Sequence, residues 1–98
     1  MYEKGHKNGI VRFAIKPHDG ANAVAVAGDF SDWRPVPLWR DKGGVFVRRV
    51  PVSQETFEYK FVVDGQWIND PDNIHYAKNP FGTFNSIAPG EVDAVMRL

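Results

Sequence analysis

The sequence predicts an all-β sandwich, and three observations carry that reading. Apolar residues recur with a period of two, not 3.6, along most of the chain. Turn signals built from Gly, Pro, Asn and Asp separate the apolar runs at short intervals. No window of helical length shows an amphipathic pattern. Short strands joined by turns bury their apolar faces by packing two antiparallel sheets together, here with about seven strands.

The elements follow in chain order. In GIVRFAIK (9–16), Val11, Phe13 and Ile15 share one face. In AVAVAGDF (23–30), Val24, Val26 and Phe30 share one face and alanines line the other. VPLW (36–39) is a short edge strand flanked by proline, which cannot donate to a ladder. DKGG (41–44) signals a turn, and VFVRRVPV (45–52) is the strand after it. TFEYKFVVD (56–64) is the strongest strand, with Phe57, Tyr59, Phe61 and Val63 alternating against Glu58, Lys60 and Val62. The segment 70–82, DPDNIHYAKNPFG, has two prolines and little periodicity, and reads as a long surface loop. TFNSIAP (83–89) is the last strand, anchored by Phe84 and Ile87. EVDAVMRL (91–98) carries only a weak helical-turn signal.

The 98 residues suit one domain spanning 1–98, with its core over about 10–89 and a tail or linker start over 90–98. Such a domain buries roughly two-thirds of the surface its unfolded chain exposes. Lys plus Arg and Asp plus Glu stand at 12 each. That balance argues against a nucleic-acid binder, which carries a basic stripe, and against a polybasic membrane anchor. No apolar run approaches the ~20 residues of a membrane span. MYEKGHKNG has no hydrophobic region of the signal-peptide type. The chain has no cysteine, which excludes disulfides and thiolate metal sites and fits a cytoplasmic location.

Asp64-Gly65 is a two-residue hairpin signal, because both central residues of a type I′ turn need positive φ. With that turn, Val63 pairs with Gln66, Val62 with Trp67, Phe61 with Ile68 and Lys60 with Asn69. Phe61 and Ile68 then face the core with Tyr59 and Val63. Lys60, Val62, Trp67 and Asn69 face away from it. An outward indole beside an ammonium and an amide suits a sugar, whose C–H face packs on an aromatic plane and whose rim is hydroxyls. For a lone tryptophan the favoured reading is that it covers a neighbouring loop such as 70–82, since large aromatics are mostly buried.

A second tryptophan ends GDFSDW (28–33). Gly28 and Asp29 suit a tight exit from the strand, Phe30 plugs the core and Trp33 emerges on a loop. GDFSDW, EYKFVVDGQWINDP (58–71) and FGTFNSI (81–87) together resemble the glycogen-binding domain of the AMP-activated protein kinase β subunit. They resemble more widely the carbohydrate-binding modules of family forty-eight, which include the early-set domains of branching and debranching enzymes. The resemblance runs from about Val11 to Ala88. It implies an immunoglobulin-like, early-set sandwich that binds α-1,4-linked glucan. It also implies roles: Trp33 and Trp67 clamp glucose rings, and Lys60, Thr83 and Asn85 bind hydroxyls. Phe81 stands where the kinase members carry a leucine that projects into the curved sugar chain. Exposed aromatic clusters usually mark binding sites, so the four polar and aromatic partners together favour a sugar platform.

No catalytic residues, metal or cofactor are expected. His6, His18 and His75 show no metal-ligand spacing, and there is no phosphate loop or nucleophile elbow. A glycosidase needs two carboxylates about 5–10 Å apart across a cleft. Asp64, Asp70 and Asp72 lie instead on a hairpin and loop, where turn-forming and capping roles explain them. Trp39 matches no sugar contact and is expected to pack on Arg40 or a neighbouring strand. Asn73, His75 and Tyr76 are placed at the rim of the site. Two functions remain. One is a non-catalytic module for glycogen, starch or maltooligosaccharides. The other is a non-binding structural domain packed on an amylase-family or kinase catalytic partner.

Overall fold

The structure, a computed structural model, describes residues 2–4, 9–54, 56–73 and 75–88, with backbone alone for 2–4. Among the described residues ten strands, several very short, form two antiparallel sheets. They are β1 (Tyr2–Lys4), β2 (Ile10–Ile15), β3 (Val24–Gly28), β4 (Val36–Pro37) and β5 (Trp39–Arg40), then β6 (Phe46–Pro51), β7 (Phe57–Val63), β8 (Gln66–Ile68), β9 (Tyr76–Lys78) and β10 (Phe84–Ala88). One sheet has the order β1-β2-β6-β5. The other runs β4-β3-β7-β10-β9, and β8 also pairs with β7.

The alternation read from the sequence sets the core. Val11, Phe13 and Ile15 of β2 meet Val24 and Val26 of β3 and Phe57, Tyr59, Phe61 and Val63 of β7, all buried. Phe13 is its aromatic centre. Its ring stacks on Phe30 with centroids 5.2 Å apart and meets Tyr59 edge-on at 5.3 Å. Phe30 reaches it from a 3-10 turn (Asp29–Ser31), not from the strand itself.

Gly28 permits that turn by close approach. Its φ of −176° is ordinary extended backbone, but a Cβ there would stand 2.5 Å from the Glu58 carbonyl oxygen and 2.6 Å from the Phe30 ring. The β7–β8 hairpin has the expected register, Val63 with Gln66, Val62 with Trp67 and Phe61 with Ile68. Asp64 and Gly65 take φ of 49° and 86°, as a type I′ turn requires. The ladder ends at Ile68, so Asn69 does not pair with Lys60 as expected.

Four expectations need correction. VPLW is not one strand. Val36–Pro37 pairs with β3 in one sheet and Trp39–Arg40 with β6 in the other. Leu38, buried between them, marks the switch.

The segment 70–82 is not a surface loop throughout. Asp70 and Asn73 are fully buried and residues 76–78 form β9. Tyr59 OH donates to Asp70 Oδ2 at 2.6 Å, Asn73 Nδ2 donates to Tyr59 OH at 3.0 Å, and Asp70 N donates to Ser86 Oγ at 2.9 Å. The stretch is a polar strap fastened to the core.

Phe84 does not anchor the last strand. It is 48% exposed beside Tyr76, and the buried residues of β10 are Asn85, Ser86 and Ala88. Asp70, expected on an exposed loop, is enclosed by that strap. The tail 91–98 and His6 lie outside the described residues.

Candidate functional site

The outward face of β7 carries Glu58, Lys60 and Val62, all half-buried. Pairing with β8 sets Trp67 beside Val62 on that face. Pairing with β10 sets Ile87 beside Glu58, and Asn85, two residues earlier, shares the same side. Trp33 arrives from the turn after β3. Asp32 and Trp33 both take left-handed backbone, with φ of 56° and 60°. Trp33 N closes on the Gly28 carbonyl at 3.0 Å, and the indole Nε1 donates to Asp29 Oδ1 at 3.1 Å. The other oxygen of Asp29 accepts from Glu58 N at 2.8 Å, which ties the indole to the edge of β7.

The hairpin between β9 and β10 closes the far side. Asn79 organises it. Its Oδ1 accepts from Phe81 N at 2.9 Å and Thr83 N at 3.2 Å. Its Nδ2 donates to Thr83 Oγ1 at 2.7 Å and Asn85 Oδ1 at 2.9 Å. Asn85 Nδ2 donates to Glu58 Oε1 at 2.9 Å, and Lys60 Nζ donates to Thr83 Oγ1 at 3.4 Å. Phe81, at the tip, is 88% exposed.

Together these elements enclose one open groove of about 600 Å³. Trp33, Lys60, Trp67, Phe81, Thr83 and Asn85, singled out from three separate stretches of sequence, all line it. Trp67 is 44% exposed. An apolar floor with a few polar groups at one wall can hold the flat face of a ligand and read its hydroxyls. The profile described as the glycogen recognition site of AMP-activated protein kinase matches residues 11–93. The chain belongs to this family.

The family is a carbohydrate-binding module, which binds and does not catalyse. The chain is similar to 5′-AMP-activated protein kinase subunit beta-1 of Sus scrofa, 35% identical over 68 residues, covering 69% of this chain and 54% of the pig protein. It has the same identity to the Rattus norvegicus subunit, over 24% of that protein. It is similar also to Signal transduction protein MDG1 of Saccharomyces cerevisiae, 32% identical over 71 residues, covering 67% of this chain and 19% of the yeast protein. The chain thus spans between 19% and 54% of these relatives' lengths.

Within the glycogen-recognition module, sequence reasoning missed two groove residues, Asn79 and Pro80. An Asn two residues before a backbone N–H it can cap is a readable Asx-turn signal, and NPFG carries it. The expected rim residues fall elsewhere. Asn73 is buried, its Nδ2 within reach of Tyr59 OH and the Ile87 carbonyl. His75 and Tyr76 do not line the groove. Asn69 is half-buried and also absent from it, and its Oδ1 is enclosed without a hydrogen-bond partner among the described residues.

Trp39, 59% exposed on the other sheet, lies under the Arg48 guanidinium at 5.2 Å. It packs on the neighbouring strand as expected, but on Arg48, while Arg40 sits over Phe46. Among the described residues no three potential His, Asp or Glu ligands gather around a metal position, and no helix is long and apolar enough to cross a membrane.

Proposed function

We propose that this chain is a non-catalytic module for α-1,4-glucan, such as glycogen, starch or a maltooligosaccharide. In this reading glucose rings stack on Trp33 and Trp67, while Lys60, Thr83 and Asn85 fix hydroxyls and Phe81 fills the inner curve of the sugar chain. The observation that supports it is convergence: the two tryptophans and the three polar groups line one groove in a member of the glycogen-recognition family. Each stacked indole contributes on the order of 1–3 kcal/mol, by analogy with bases stacked on aromatics. The groove is open, and ordering a flexible sugar offsets much of that gain, so affinity is modest.

The test is titration with maltoheptaose and β-cyclodextrin, followed by tryptophan fluorescence and amide NMR shifts. Trp33→Ala and Trp67→Ala are each expected to stay folded and to weaken binding about ten-fold or more. Wild-type protein that shifts with neither sugar nor with glycogen would falsify the reading. The second reading, a domain docked on a kinase partner, draws on the exposed Trp39 of the opposite sheet and on the kinase subunits among the relatives. The two are compatible, because Trp39 does not line the groove. A cytoplasmic location suits a module for stored glucan.

A further inference from the structure

We propose that Asn79, acting with Glu58, fixes the direction of every hydrogen bond along the polar wall, so that the groove presents donors and selects acceptor atoms on its ligand. This rests on the glucan reading and deepens it. The direction is forced, one step at a time. The Phe81 and Thr83 backbone N–H groups can only donate, so the Asn79 atom facing them at 2.9 and 3.2 Å is its oxygen. The amide nitrogen of Asn79 therefore faces Thr83 Oγ1 and Asn85, and donates to both. The Asn85 atom that receives it must then be Oδ1, which turns the Asn85 nitrogen toward Glu58. Glu58 Oε1, a carboxylate oxygen, accepts from that nitrogen at 2.9 Å and so locks the far end.

Thr83 is caught between two groups that only donate, Asn79 Nδ2 at 2.7 Å and the Lys60 ammonium at 3.4 Å. Both lone pairs of its hydroxyl are engaged, so its own hydrogen points away from them. Among the described residues no further partner takes that hydrogen, the other two hydrogens of the Lys60 ammonium or the second Nδ2 hydrogen of Asn85. Among the side chains that line the groove, the wall therefore offers O–H, N⁺–H and N–H groups, and only the second lone pair of Asn85 Oδ1 as an acceptor; Glu58 lies behind the lining. All four hydrogen-bonding positions of the Asn79 amide are used inside the protein, so Asn79 is a positioning residue and not a sugar ligand.

Asn79→Asp tests this because it keeps shape and keeps the oxygen that holds Phe81 N and Thr83 N. It replaces the donor with a second acceptor. The Thr83 hydroxyl then turns inward, and Asn85 flips and sets its oxygen against Glu58. Glu58→Gln in the same chain supplies a donor for that flipped oxygen. The experiment measures maltoheptaose affinity and thermal midpoint for wild type, N79D, E58Q and the double variant.

The expected result is a split. N79D lowers both quantities, with affinity falling about ten-fold, the loss of one to two hydrogen bonds. Adding E58Q restores the midpoint beyond additivity but not the affinity, because Thr83 still points inward. A merely structural role would return both together or neither. N79D that binds as wild type, or a double variant whose two readouts move in parallel, overturns the proposal while leaving the glucan reading intact. Wild-type protein that binds no maltoheptaose overturns both.

Discussion

Trp33 is the side chain on which backbone and function pull hardest against each other. An aromatic residue at φ 60° lies in the left-handed region, which costs roughly 1–2 kcal/mol for a residue with a Cβ. The turn bears it because Ser31 Oγ accepts from Gly28 N at 3.2 Å, and because Asp29 holds the indole at 3.1 Å. Trp33→Gly and Trp33→Ala both remove the ring, but only glycine relieves the backbone. The glycine variant is expected to be the more stable of the two in urea unfolding, by about 1 kcal/mol, and both to lose sugar binding.

Asp64 supplies a pH dependence. Its Oδ1 accepts from Ala23 N at 2.9 Å and Asn22 N at 3.0 Å, and these two bonds, Ala23 first, hold the carboxyl below its ordinary 3.8, with a smaller pull from His18. A carboxylate whose folded pKa is lowered contributes stability above its unfolded pKa. That contribution is lost as pH falls from about 3.8 through the lower folded value. Asp64→Asn keeps the left-handed turn and is expected to flatten this acid limb in unfolding curves recorded from pH 5 down to about 2.

The strap between β8 and β9 shows how an element can be hidden in its own composition. DPDN reads as a solvated loop because its residues are those of turns, and they do make turns. Asp70 Oδ1 accepts from Asp72 N and Asn73 Oδ1 from His75 N, both at 2.9 Å. The remaining polar atoms of these side chains are directed to Tyr59, at the centre of the strongest strand. That partner lies 11 and 14 residues back, a distance no local pattern reports. Tyr59→Phe deletes a donor to Asp70 and an acceptor for Asn73 in a buried site. It is expected to lower stability by about 1–3 kcal/mol, read from denaturant midpoints. Amide exchange should quicken first across 70–78, because this strap positions β9 and the hairpin that carries Asn79. The switch at Leu38 has a related cause. A two-residue strand is too short to announce which sheet it joins, and the decision falls to whichever edge, β3 or β6, stands open beside it.

The whole molecule balances 12 acidic against 12 basic side chains, and its groove combines two indoles with a single ammonium. Binding carried by stacking and neutral hydrogen bonds releases few counterions. The maltoheptaose affinity is therefore expected to change by less than about two-fold between 50 and 500 mM salt, whereas a nucleic-acid ligand would lose orders of magnitude. Titration at the two ionic strengths checks this.

Alternation and turn chemistry were legible in the sequence because both are local. Period two set which residues of β2, β3 and β7 enter the core. Asp64-Gly65 set the hairpin register, and with it the outward Trp67 on the face of Lys60. The motif resemblance named six of the eight residues that line the groove. Tertiary structure alone decided the rest. It brought Trp33, the β7 face and the 79–85 hairpin together, buried Asp70 and Asn73, and left Phe84 exposed beside Tyr76. These depend on which strands become neighbours, and contacts between distant segments leave no periodic trace in the chain.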